Sequence, residues 1–339
     1  MLFQVKKFSL LMAFNHYSFK PNFLLQNEFI QTAIGSILSG DTSLPVRKAH
    51  KVQVDKDTKL MLLELPSENP DATMVLLAHG LGGCSESGYM RRIAQKLWIR
   101  GFSVFMMNHR GSGLGMGLSE SLWNGGVSND LDKVIEYMSE IYPDKSIDVV
   151  GFSLSGNILL KYLGEKRSQP VKICKGFAVN PPIDLKRASH ILSRTRKGWL
   201  FNSYYMKQIH MQGMAIAECF PGAVVPSGKE KTILEFDESY TAPAAGYKDA
   251  NDYYSKCSAK GYLEDITVPT TILCAMDDPF VESDIFKSVR MSSSIEINTP
   301  DWGGHMGYLS SKPTPWGDHR WMDFIIVDWS GEGKGRINF

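Results

Sequence analysis

In Gly151-Phe152-Ser153-Leu154-Ser155-Gly156, a serine follows an apolar run and opens a stretch of helical periodicity. A sharp strand-to-helix turn of this kind holds a hydroxyl clear of a sheet, where it can act as a nucleophile. A serine hydroxyl is a weak nucleophile until an imidazole takes its proton, and that imidazole needs a carboxylate to hold its tautomer. In sheets built around such a turn the chain order is Ser, then acid, then His. Four histidines follow Ser153: His190, His210, His305 and His319. His305 sits in Gly303-Gly304-His305-Met306-Gly307, just after the strand-like Ile295-Glu296-Ile297, and flanking glycines let a loop carry a ring close to the turn. His190 and His210 are expected to be solvated, and His319, beside Asp318 and Arg320, is expected on a surface helix. Asp277 and Asp278 end the apolar run 270–276; Asp278 is the expected orienting acid and Asp277 the alternative.

Acyl chemistry also needs two backbone N–H donors aimed at a developing oxyanion. One follows the nucleophile, here Leu154, and the other comes from the loop after an early strand. His79-Gly80-Leu81-Gly82-Gly83 supplies that loop, with Leu81 as the expected donor. His79 and His109 lack a partner histidine at i+4, so they read as buried loop residues rather than metal ligands. The glycines at 111, 113, 115 and 117 do not make the G-x-G-x-x-G dinucleotide fingerprint. The expectation is chemistry with no metal and no cofactor.

The elements that must position these residues are short apolar runs ending in Gly-rich or polar turns: 74–78, 103–107, 147–150 and 270–276. Near-continuous apolar strands suit a sheet covered by helices on both faces. Helical periodicity lies between them at 90–100, 131–141 and 157–167; in the second, Leu131, Val134, Ile135 and Met138 share one face. Strands alternating with helices predict a doubly wound, mostly parallel α/β sheet whose chemistry lies outside the carboxyl ends of the strands. The segment 183–254, rich in Tyr, Met, Lys and Pro, breaks the rhythm and reads as an inserted helical lid. Its Trp199, Leu200, Phe201, Met206, Met211 and Met214 are expected to line an acyl pocket or to pack on the core. Residues 1–60 read as an N-terminal extension packed on a domain of residues 61–339.

The 339 residues suffice for a large core without disulfide or metal staples. A net charge of +1 with no long block of like charges argues against a nucleic-acid partner. The five cysteines are scattered and lack a C-x-x-C pair, so neither a disulfide framework nor a zinc site is indicated, and a reducing, cytoplasmic setting is expected. The apolar stretch 8–14 after Lys6-Lys7 is at the short limit for a secretory signal and is followed by no small-residue cleavage site, so export is not expected. No run reaches the 18 or so residues of a membrane span, so any membrane contact would be peripheral. The sequence leaves the oligomeric state open.

Beyond these residues, the chain resembles the YheT-like branch of the α/β hydrolases, the AB hydrolase-4 family. The resemblance is carried by Leu24-Leu25-Gln26-Asn27, Gln31-Thr32, the His79 loop, Asn108-His109-Arg110-Gly111, the 151–156 turn and Asn180-Pro181-Pro182-Ile183-Asp184-Leu185. It continues through Phe236-Asp237, Thr241-Ala242-Pro243, Asp249-Ala250-Asn251-Asp252-Tyr253-Tyr254, Asp277-Asp278-Pro279-Phe280 and Gly303-Gly304-His305-Met306-Gly307. It implies an α/β-hydrolase fold with Ser153, Asp278 and His305 in the triad positions. The implied activity is a serine esterase acting on small esters with short- to medium-chain acyl groups. Phospholipid or thioester cleavage, acyl transfer to alcohols, and a non-catalytic binding protein on the same fold are the alternatives. Family members generally carry glycine where this chain has Ser155.

Overall fold

The computed structural model describes residues 19–37, 42–165, 167 and 173–331. The stretch 8–14 lies outside these residues. Among the described residues eight strands form one sheet in the order β1-β2-β4-β3-β5-β6-β7-β8. They are β1 Lys48–Gln53, β2 Lys59–Leu65, β3 Met74–Ala78, β4 Ser103–Asn108, β5 Ile147–Phe152, β6 Ile173–Val179, β7 Thr270–Leu273 and β8 Ile295–Asn298. β1 pairs antiparallel with β2 and β2 antiparallel with β4, and all other pairings are parallel. Every residue of β3, β4 and β5 is buried, as an apolar strand covered on both faces requires.

The longer helices among these residues are α1 Glu28–Ile37, α2 Gly88–Ile99, α3 Ser128–Ile141, α4 Leu154–Gly164, α5 Leu185–Arg194, α6 Trp199–Cys219, α7 Ala250–Cys257 and α8 Trp321–Gly331. α3 packs Leu131, Val134, Ile135 and Met138 against Leu76, Phe105 and Val149 of the sheet. On the opposite face α2 and α8 close over Val75, Val104 and Val150. α5, α6, α7 and the short turns at 233–244 stand between β6 and β7 and contain no strand, in the region where the sequence breaks its rhythm.

The sheet begins earlier than the sequence suggests. β1 lies inside the segment read as the 1–60 extension, and only Val52 of its six residues is buried. An edge strand with one covered face has no continuous apolar run to betray it. α1, also in that segment, is capped by Asn27, whose Oδ1 accepts from the N–H groups of Phe29 and Ile30. His319 corrects another expectation: it lies in the bend before α8, not on a helix, and its Nδ1 bonds the Ser310 carbonyl at 2.8 Å.

Candidate active site

β5 delivers Ser153 to the start of α4 with φ 51° and ψ −117°, a conformation that non-glycine residues adopt only when their surroundings enforce it. The Ser153 N–H donates to the Val179 carbonyl at the end of β6, fixing the turn to the neighbouring strand. Gly151 is required here by close approach: a Cβ on it would lie 2.4 Å from the Ser155 carbonyl oxygen.

Three side chains distant in sequence meet at this edge. His305 Nε2 lies 2.9 Å from Ser153 Oγ, and His305 Nδ1 lies 2.7 Å from Asp278 Oδ2. Since a carboxylate only accepts, Nδ1 carries the proton and Nε2 presents its lone pair to the serine hydroxyl. Asp278 is held from four directions. Its Oδ1 accepts from the N–H groups of Phe280 and Val281, and its Oδ2 also accepts from Asn180 Nδ2 at 2.6 Å. Asn180, in turn, accepts from the Tyr308 hydroxyl. Asp277 points elsewhere, accepting from the Gly304 N–H at 2.8 Å. Burial, aided by the neighbouring Asp278 charge, holds its carboxyl up at about 6 despite that bond. His190 is exposed, and His210 pairs with Glu230 within the helical insertion; neither reaches the site.

Leu81 and Leu154 border the cleft beside Ser153, and neither backbone N–H has an acceptor among the described residues. His79 and His109 are buried beside them. His79 Nδ1 donates to the Gly80 carbonyl, and its Nε2 accepts the His109 backbone N–H at 3.2 Å. Burial lowers His79 to about 4 and His109 well below the usual imidazole value, so both are neutral at neutral pH.

This arrangement gives Ser155 a place. Its hydroxyl donates to the His79 carbonyl and accepts from His109 Nε2 at 2.7 Å, while the His109 ring stacks on Trp123. The serine ties the 79–83 loop to the turn that carries Ser153, a link that glycine could not make.

Sequence reasoning missed two residues that hold the His305 loop. Thr32 of α1 accepts the His305 backbone N–H at 2.9 Å and donates to the Glu28 carbonyl. Gln31 exchanges two hydrogen bonds with the backbone of Leu309. α1 and the loop come so close that a Cβ on Gly307 would lie 2.3 Å from the Gln31 carbonyl oxygen. These partners lie more than 270 residues apart, and only the resemblance singled out Gln31-Thr32. Thr32→Val keeps the shape and strands a buried N–H, so it is expected to cost about 1–3 kcal/mol of stability. Urea unfolding should show this loss, with Thr32→Ser close to wild type.

The cleft running from Ser153 is mostly apolar, lined by Leu185 and Leu192 of α5, Ile209 of α6, Ile233, Phe236 and Phe280. Of the lid residues expected in an acyl pocket, Met206 is buried and Phe201 half-buried, whereas Trp199, Leu200, Met211 and Met214 point outward. Helical spacing explains the split: α6 buries Asn202, Met206, Ile209, Gly213 and Ile216, which share one face.

Asp237 also borders the cleft, accepting from the Tyr254 hydroxyl at 2.8 Å, and burial pushes its carboxyl up to about 7. A raised acid favours the folded state in its protonated form. This contribution is full below the unfolded value near 4 and is lost as pH rises through about 7; its upper limit is about 4 kcal/mol. Asp237→Asn should therefore flatten the dependence of the melting temperature on pH between 4 and 8; an unchanged slope would rule Asp237 out as its source.

Residues 73–205 match the family described as the alpha/beta hydrolase fold. Among curated relatives, a monoacylglycerol lipase of Saccharomyces cerevisiae is 29% identical over 70% of this chain, which spans 55% of that protein's length. The putative esterase YheT of Escherichia coli is 26% identical, with 78% of each chain covered. The phospholipase ABHD3 of Mus musculus is 27% identical over 86% of this chain and 68% of its own. Of solved structures, a Pyrococcus furiosus esterase has a TM-score of 0.55 at 18% identity, covering 84% of this chain and 94% of its own. A 2,6-dihydroxy-pseudo-oxynicotine hydrolase has a TM-score of 0.57 at 16% identity, covering 89% and 70%. At such identities the structural likeness speaks for the fold alone. The sheet order, the strand-to-helix turn at Ser153 and the match over residues 73–205 together show the α/β-hydrolase fold. Within that fold the chain is similar in sequence to the YheT-like esterase and to relatives of the ABHD type.

Proposed function

We propose that this chain is a serine esterase that cleaves small carboxylic esters carrying an apolar acyl group. The observation that supports this most directly is the hydrogen-bonded run Ser153–His305–Asp278 opening on an apolar cleft. In this reading His305 Nε2 takes the Ser153 proton as Oγ attacks the ester carbonyl. The oxygen, now negative, is held by the Leu81 and Leu154 N–H groups. Asp278 stabilises the imidazolium, which then protonates the departing alcohol. Water, activated by the same imidazole, releases the acid and restores the serine. The chain's own residues suffice for every proton transfer in this sequence.

Relatives named as esterases, a monoacylglycerol lipase and a phospholipase agree with ester cleavage and differ in substrate. The fold does not choose among them. The test is a fluorophosphonate probe followed by a substrate series of aryl esters of increasing acyl length, a monoacylglycerol, a lysophospholipid and an acyl-thioester. Labelling that blocks turnover, with aryl esters and the monoacylglycerol preferred, is the expected result. An unlabelled, folded protein would refute the enzyme reading. Preference for the lysophospholipid or the thioester would move the substrate class.

A further inference from the structure

A surface helix normally turns one apolar stripe inward and a polar face outward. α6 departs from this. Opposite its buried stripe, Leu200, Tyr204, Lys207, Met211 and Met214 recur at steps of four and three, placing them along one outer face. The four apolar members of that stripe are between 47% and 66% exposed.

The apolar surface continues onto the N-terminal segment. Phe29 of α1 stacks on Phe201 with ring centroids 5.9 Å apart, and Lys197 bridges to Glu28 at 3.0 Å. The turn just before α1 exposes Phe23 and Leu24, at 76% and 65%. Exposed apolar side chains grouped on neighbouring elements in this way mark an interaction site.

Charge indicates the occupant. Residues 194–214 contain Arg194, Arg196, Lys197 and Lys207 and no acidic residue, and all four cations are exposed. Among the described residues only Lys197 of these is in an ion pair. Exposed Trp, Leu, Tyr and Met interleaved with unneutralised Lys and Arg match a helix lying in a lipid interface, apolar side chains in the acyl boundary and cations among anionic headgroups. A second copy of this chain would instead set these like charges against each other.

The patch also leads to the candidate site. Phe29 contacts Phe201, Phe201 contacts Phe280 at 5.4 Å, and Phe280 lies 4.1 Å from the His305 ring. Ile209, on the inner side of the same helix, lines the cleft.

We propose that the outer face of α6, continued by Phe23 and Leu24, docks the protein onto an anionic lipid surface. Docking sets the entrance of the cleft against the lipid. It would give esters embedded in the lipid layer a short path to Ser153 and leave water-soluble esters unaffected.

The full chain is tested by flotation with vesicles of phosphatidylcholine alone and with vesicles of phosphatidylcholine and phosphatidylglycerol in about equal parts. Wild type should float with the anionic vesicles, less with the neutral ones, and less as salt is raised. Two variants separate the contributions: Leu200→Ser with Met214→Ser, and Arg196→Glu with Lys207→Glu. Each should lose about tenfold in vesicle affinity while keeping the circular dichroism and melting temperature of wild type. Turnover of a water-soluble aryl ester should also be unchanged. Absence of flotation by wild type, or flotation indifferent to both variants, would overturn the proposal. So would sedimentation showing that the patch variants dissolve a dimer without changing vesicle binding. Flotation is read without catalysis, so a protein that docks but does not turn over esters would remove the esterase reading and leave the docking surface in place.

Discussion

Ser153→Ala is expected to reduce ester turnover by a factor on the order of 10⁶, with fluorophosphonate labelling abolished. The size of the effect follows from the shared work of the three side chains. With no hydroxyl at 153, His305 has no proton to take and Asp278 no imidazolium to stabilise. What remains is water attacking an ester bound beside the two N–H groups. The substitution removes one oxygen from a buried turn already fixed by the Ser153 N–H bond to Val179, so folding should survive. A melting temperature near that of wild type, together with lost turnover, is the informative pair of measurements. Near-normal turnover would take the nucleophile role away from Ser153.

The second large effect separates two adjacent carboxylates. Asp278→Asn should lower turnover by a factor on the order of 10⁴, while Asp277→Asn should be mild. Asp278 Oδ2 accepts from His305 Nδ1 and Asn180 Nδ2 while its Oδ1 accepts from the N–H groups of Phe280 and Val281, so an amide at 278, with a single acceptor oxygen, cannot satisfy all four. If its NH₂ faces His305, the imidazole must carry its proton on Nε2 and can no longer accept the serine proton. If its oxygen faces His305, it also accepts from Asn180, but its NH₂ then meets the N–H groups of Phe280 and Val281, donor against donor. Either way the negative charge that favours the imidazolium is gone. Among the described residues Asp277 accepts the Gly304 N–H, and an asparagine oxygen can do the same. A crippled Asp277→Asn beside an active Asp278→Asn would exchange the two assignments.

These contrasts bear on how much could be read from residues alone. Ser153, Asp278, His305, Leu81 and Leu154 could be named as candidates because each role requires a residue type in a local setting. A nucleophile needs a strand-to-helix turn with small neighbours, an orienting acid needs the end of a strand, and a mobile ring needs glycines. Buried parallel strands announce themselves as apolar runs for the same local reason. β1 escaped because an edge strand with one covered face carries no such run, and its polar residues resemble a tail.

The supports of the site escaped for a different reason. Thr32 meets His305 across 273 residues, Gln31 meets Leu309 across 278, and Asn180 meets Asp278 across 98. Single polar residues in helices and loops look alike until the fold sets a partner opposite them. Ser155 looked like a small defect in a glycine pattern, and its use emerged only once His79 and His109 were packed around it. The orientation of α6 belongs to the same class. Its sequence is apolar on two faces, so periodicity cannot say which methionines turn inward.

From the amino-acid order alone came the doubly wound sheet, the chemistry available at its strand ends and the residue types able to perform it, since these follow from short-range geometry and patterns of burial. Which polar groups hold the histidine loop, which carboxylate meets the imidazole and which apolar stripe faces solvent were settled by packing. Those contacts join segments that share no local sequence signal and meet only when the chain has closed.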